Sequence, residues 1–147
     1  MRAAVGALLL IATLAAPAYA GNPLGASASL NPGSAGSKAT LVLKLRYDMQ
    51  CGQPGPGTAT VQLPAHMHPM TSLAVRVNST TVVSAKASGT TVTIPLPVHK
   101  GVTCMVIGPG VVTLSLAGVR NPSSPGTYVV RAHVRGMDFA ASVAVRA

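Results

Sequence analysis

Ala117 to Tyr128 reads AGVRNPSSPGTY, and this stretch decides the fold. Upstream of it, Val111, Val112, Leu114 and Leu116 surround Thr113 and Ser115, so the later part of the run alternates at the two-residue period of a half-buried strand. Downstream, Tyr128, Val130, Ala132 and Val134 share one face, while Val129, Arg131, His133 and Arg135 share the other, which is wet. Between the runs, Asn121-Pro122 and Pro125-Gly126 stop both strands. Each proline lacks an amide donor and fixes φ, and Gly126 can take a positive φ. Two strands therefore meet at a loop.

The same period recurs outward from this corner. Thr40 to Tyr47, Thr58 to Leu63, Leu73 to Val77 and Phe139 to Arg146 read as strands, and Thr81 to Lys86 pairs with Thr91 to Leu96 as a hairpin through Ser88-Gly89. Cys104 to Ile107 reads as a further short strand. Proline and glycine mark loops at Cys51 to Gly57, Pro64 to Thr71 and Gly108 to Gly110, and Asn78-Ser79 ends another strand. Past the first twenty residues no stretch has helical periodicity. The pattern predicts an all-β sandwich of seven to nine antiparallel strands in a single copy.

From about Ser37 onward the chain resembles the immunoglobulin-like repeats of bacterial and archaeal secreted and surface proteins. The matching residues are Thr40 to Leu45, Leu63-Pro64, Val75 to Asn78, Val92 to Pro95, and the corner Gly118-Val119-Arg120-Asn121-Pro122 with Gly126-Thr127-Tyr128. The resemblance implies an immunoglobulin-like sandwich serving as a spacer or adhesion module, with no shared catalytic site. It also implies that Tyr128 is a corner tyrosine whose hydroxyl bonds back to a nearby backbone group. Val130 stands where an antibody-type domain would carry its second cysteine, and the chain has no Trp.

Arg2, the apolar run Val5 to Ala15 and the small-x-small site Ala18-Tyr19-Ala20 predict a signal peptide over residues 1–20, cut before Gly21. Residues 21–37, rich in Gly, Ala, Ser, Pro and Asn, are expected to form a flexible leader with one short strand near Ser27 to Leu30, and residues 38–147 the sandwich. No later run is long enough to span a membrane, so the exported chain is expected to be periplasmic, extracellular or attached to the cell surface. The full chain carries a formal charge of +9; without Arg2, ten Lys and Arg face Asp48 and Asp138 for +8, with no Glu. Such a field attracts anionic polymers and is weakened by salt. Spread one or two per strand, the cations equally suit solvated outward positions that protect strand edges.

His66-Met67-His68-Pro69-Met70 is the local cluster that could carry chemistry. Imidazole and thioether are copper ligands, and in an extended segment His66, His68 and Met70 would project to one side. The alternative is a loop in which Met67 or Met70 plugs the end of the sandwich while the histidines are solvated. Catalytic inventories are thin. Two carboxylates, no GxSxG pattern and no glycine-rich strand-to-helix turn argue against glycosidase, serine hydrolase and nucleotide chemistry. With Tyr47, Tyr128 and Phe139 as the aromatic residues after the signal, neither sugar platforms nor base stacking is indicated, and nucleic acid would bind through charge alone. The sequence thus points to a non-catalytic interaction module whose partner is a protein or an envelope polymer, with copper binding or polyanion binding as alternatives. Asn78-Ser79-Thr80 fits a glycosylation sequon.

Cys51 and Cys104 are the only cysteines, and in an exported chain an even pair reads as a disulfide. Closing a loop of this length restricts the unfolded chain by roughly 4 kcal/mol in the chain-entropy model. Thiol labelling of the exported protein, denatured without reductant, should modify neither cysteine. Labelling of both would exclude the bridge.

Overall fold

The computed structural model describes residues 22–48, 57–96, 109–134 and 136–147. They form β1 (Asn22–Asn31), β2 (Lys38–Asp48), β3 (Thr58–Gln62), β4 (His68–Pro69), β5 (Ser72–Val77), β6 (Thr81–Ser88), β7 (Thr91–Pro95), β8 (Pro109–Arg120), β9 (Gly126–Val134) and β10 (Met137–Val145). Strand formation follows the two-residue period. In β2, Leu41, Leu43 and Leu45 point inward and Lys44 and Arg46 outward; in β5, Leu73, Val75 and Val77 are buried and Arg76 is exposed. Asn78 and Ser79, with φ of 50° and 63°, open the three-residue turn into β6, in which Thr80 N–H donates to the Val77 carbonyl at 3.3 Å.

One antiparallel ladder runs β1-β2-β8-β5-β6-β7-β3-β9-β10, with the short β4 added beside β5 on β8. It turns over at β6, where Lys86 pairs with Ser72 of β5 and also with Thr93 of β7. Its two ends then meet: Arg146 donates to the Gly33 carbonyl and accepts from Ala35 N–H, each at 2.8 Å, in a parallel bridge. The enclosed core is aliphatic, with Leu43, Leu114, Leu116, Val61, Val75 and Ile94 almost wholly buried. The architecture is the immunoglobulin-like β-sandwich expected from the sequence, with ten strands among the described residues where seven to nine were expected.

The additional strands have low hydrophobic signal. Residues 22–31, expected as leader with a strand only near Ser27 to Leu30, form ten residues of β1 paired along β2 from Asn22–Asp48 to Asn31–Thr40. Ala26, Ala28 and Leu30 turn toward the core, and the backbone ladder supplies what these small side chains do not. The two-residue β4 lies inside a segment expected to be loop. Cys51, Cys104 and the strand expected at 104–107 lie outside the described residues, as do the signal peptide and its cleavage site.

The corner behaves as the sequence implied and does more. β8 ends at Arg120, β9 begins at Gly126, and Tyr128 Oη donates to the Ser124 carbonyl at 2.8 Å. Asn121, only 2% exposed, donates from its backbone to the Ser37 carbonyl at 2.8 Å. Its Nδ2 bonds the carbonyls of Pro32 (3.0 Å) and Ser34 (2.8 Å) and lies 3.2 Å from Ser37 Oγ, whereas its Oδ1 has no partner. Removing the amide would leave the Pro32 carbonyl without its donor, at a desolvation cost of about 1 to 3 kcal/mol, whereas the Ser34 carbonyl still accepts from Ser37 N–H and Oγ. Asn121→Ala is therefore expected to cost about 1 to 2 kcal/mol in urea unfolding, the lost unpartnered Oδ1 offsetting part of that cost. Asn121→Asp should cost more, because an ionised carboxylate offers only acceptors to those carbonyls. Equal stability of Asn121→Asp and wild type would show that the amide does not hold the turn.

Candidate contact surface

Local geometry splits the His-Met cluster. Met67 N–H donates to the Pro64 carbonyl at 3.0 Å, closing a turn that holds His66 outward and drives Met67 fully into the core. His68 then pairs with Arg120 and Pro69 with Val119, which places the exposed His68 on the outer face of β8. Met70 N–H donates to the Gly118 carbonyl at 3.2 Å, and the half-exposed side chain lies over Gly118. Met67 is thus the plug, and the histidines are solvated. His66 sits in the turn and His68 in the strand, so they do not share one extended segment with Met70. Among the described residues no three His, Cys, Asp or Glu side chains come together as a metal set. The neighbours of His68 are cationic, and that field opposes a metal cation.

Gly118 governs this region. It has φ of +87°, and the register between β2 and β8 slips there, between the pairs Ala39–Val119 and Thr40–Ala117. Before the slip Leu114 and Leu116 face inward; after it Val119 and Asn121 do, and Arg120 faces out. A Cβ at Gly118 would lie 2.7 Å from Met70 Sδ and 3.6 Å from Lys38 Cε, so both side chains drape over the bulge.

Lys38, Arg120 and His68 consequently stand side by side on three adjacent strands, Lys38 opposite Arg120 and Arg120 opposite His68. All three are exposed, and Arg120 Nη1 donates to the Gly36 carbonyl at 3.1 Å. Arg76, Lys44 and Arg46 project from the same face, since Val42, Ser115 and Arg76 lie in one cross-strand row. The acid on this face is Asp48, at the far end of β2 beyond Arg46, roughly 33 Å along the strand from Lys38. The other acid, Asp138, is on the second sheet, where its Oδ1 lies 2.8 Å from His133 Nδ1. Both members of that pair are more than half exposed, so it contributes little to stability.

A groove of about 530 Å³ follows the seam between β1 and β10, lined by Ala28, Leu30, Gly33, Val143, Ala144 and Arg146 among others. Its lining holds one ionisable side chain, Arg146, and no nucleophile with a base beside it. Among the described residues no helix is long and apolar enough to cross a membrane. Sequence reasoning saw basic residues scattered through the strands and missed that register gathers them. The signal that could have found the row was the lone Gly118 inside a strand pattern, which marks a bulge.

No family model matches the chain, and no curated protein matches it. Solved structures do resemble it. BslA, described as a bacterial hydrophobin, is 19% identical with a TM-score of 0.51, covering 86% of this chain and 98% of that one. A collagen-binding domain from a Staphylococcus aureus adhesin is 10% identical with a TM-score of 0.46, over 82% and 95% of the two chains. A Nocardia farcinica protein with an immunoglobulin-like fold is 18% identical with a TM-score of 0.33, over 80% and 83%. At these identities the likeness concerns the fold.

The split between Met67 and the histidines has a measurable consequence. Met67→Ala should destabilise the protein by about 2 to 5 kcal/mol, as for other buried Met truncations. His66→Ala should stay within about 0.5 kcal/mol of wild type, as surface changes do. Equal chemical denaturation midpoints for the two variants would contradict the placement.

Proposed function

We propose that this chain is an exported, non-catalytic immunoglobulin-like module that works by contact at the cell envelope or in the extracellular space. The observation that carries the reading is the separation of an aliphatic interior from outer sheet faces on which every described Lys and Arg is exposed. The signal-peptide pattern at residues 1–20 and the corner of Gly118-Val119-Arg120-Asn121-Pro122 with Gly126-Thr127-Tyr128 support export and kinship with secreted surface repeats. The likeness to the hydrophobin supports the scaffold alone.

A second reading, polyanion binding, is favoured by the row at Lys38, Arg120 and His68, where the cations Lys38 and Arg120 oppose one another with no acid between them. A protein that acts by contact uses residues held on rigid strands, and this row meets that requirement.

Expression of the full chain with a C-terminal tag in its native host, followed by fractionation and N-terminal mass spectrometry, tests the reading. The expected product starts at Gly21 and is found with the envelope or in the medium. A cytosolic protein retaining the first twenty residues would overturn it.

A further inference from the structure

We propose that Lys38, Arg120 and His68 form the head of a binding track for a linear phosphate polymer; the proposal rests on the reading of the chain as a contact module. Directly opposed like charges across strands are unfavourable, yet Lys38 and Arg120 are such a pair, with the His68 imidazole on the other side of Arg120. An anion seated over the bulge would relieve that repulsion. The groups are also pre-placed. One nitrogen of Arg120 is tied to Gly36, which fixes the guanidinium plane and leaves the rest of its fork free. The Lys38 stem and Met70 lie over Gly118, so an apolar floor lies beneath the cations.

Geometry favours phosphate over carboxylate. A carboxylate presents its oxygens in one plane, which a single guanidinium fork can occupy. A tetrahedral phosphate accepts from donors arriving out of that plane, as donors from three neighbouring strands must. A polymer is favoured over a single anion because the face carries further exposed cations beyond the reach of a small ligand. By strand spacing, Arg76 lies in a row roughly 13 Å along the strands from Lys38, and Lys44 roughly 20 Å along. Nucleic acid is disfavoured because a single-stranded chain needs stacking platforms. Among the described residues, Phe139 is buried, Tyr47 is half-buried against Gly110, and Tyr128 is half-buried and bonded to Ser124.

Long-chain inorganic polyphosphate is the probe, measured against poly(U) and polygalacturonate of matched charge with the protein lacking its first twenty residues, as exported. Wild type should bind polyphosphate at low salt most tightly of the three and release it as salt rises. The double variant Lys38→Gln/Arg120→Gln should bind about tenfold more weakly or worse, with a shallower salt slope, since each cation lost removes a charge-assisted contact. Its melting temperature should stay close to that of wild type, because removal of an opposed like-charge pair offsets the loss of the exposed Arg120–Gly36 hydrogen bond. Arg131→Gln, on the outer face of the other sheet, should change binding by no more than about twofold. Equal loss in the double variant and Arg131→Gln, equal binding of polygalacturonate, or tighter binding of poly(U) would each overturn the proposal. Absence of polyphosphate binding by a protein that still fractionates with the envelope would remove the polymer assignment and leave the contact reading standing.

Discussion

The constraint on which the rest of the structure depends is the change of parity at Gly118. A regular strand that buries Leu114 and Leu116 must also turn residues 118 and 120 inward and leave 119 and 121 in water. That would aim the Arg120 guanidinium at an aliphatic core and expose the Asn121 amide. One extra residue at positive φ reverses the assignment, so Val119 completes the core, Asn121 is buried and Arg120 is released outward. Glycine adopts this conformation without the penalty of roughly 1 to 2 kcal/mol that a Cβ brings in the left-handed region. The contact with Met70 is a lesser factor, because a half-exposed thioether can move aside.

What the bulge buries then holds the sandwich shut. Asn121 bonds the β1–β2 turn through the Pro32 and Ser34 carbonyls, and that same turn, through Gly33 and Ala35, grips Arg146 at the end of β10. The β8–β9 corner, the first hairpin and the last strand are thereby joined in one chain of hydrogen bonds. Among the described residues neither β1 nor β10 has a strand on its far side in the ladder, so this linkage supplies backbone hydrogen bonds where the two sheet edges meet. A single amide thus ties the corner to the turn that grips the last strand, supplying the Pro32 carbonyl with its donor and sharing the Ser34 carbonyl with Ser37.

Much of this was legible in the residues. The alternation of Leu41, Leu43 and Leu45, the turn at Asn78-Ser79 and the corner tyrosine are local signals, and each describes its own neighbourhood correctly. Asn121 was readable only as a strand breaker before a proline. Its partners lie 84 to 89 residues away, and no local pattern encodes them. β1 was underestimated because Ala26 and Ala28 carry little hydrophobic signal, while its backbone pairing is invisible in composition. Lys38, His68 and Arg120 are neighbours only through register. In the His-Met cluster, exposure alternates as the sequence suggests, with His66, His68 and Met70 outside and Met67 buried, while the turn closed by Pro64 and Met67 ahead of β4 was not legible.

The basic row is the place where local consistency gives way. Sheet positions are normally filled so that opposed residues attract or ignore one another, and Lys38 and Arg120 do neither. At exposed sites two unit charges a few ångströms apart repel by only about 1 kcal/mol in water, so the fold tolerates the conflict easily. A conflict so cheaply avoided, by one Gln or Thr at position 38, is informative when it sits on the residue that the bulge has just turned outward. Among the described residues the strands that line the core keep the two-residue pattern except at the bulge and the buried Asn121, and departures from such rules concentrate where a chain has work other than folding. The bulge serves both ends at once, because the residue on one side of its parity change closes the sandwich and the residue on the other meets the solvent.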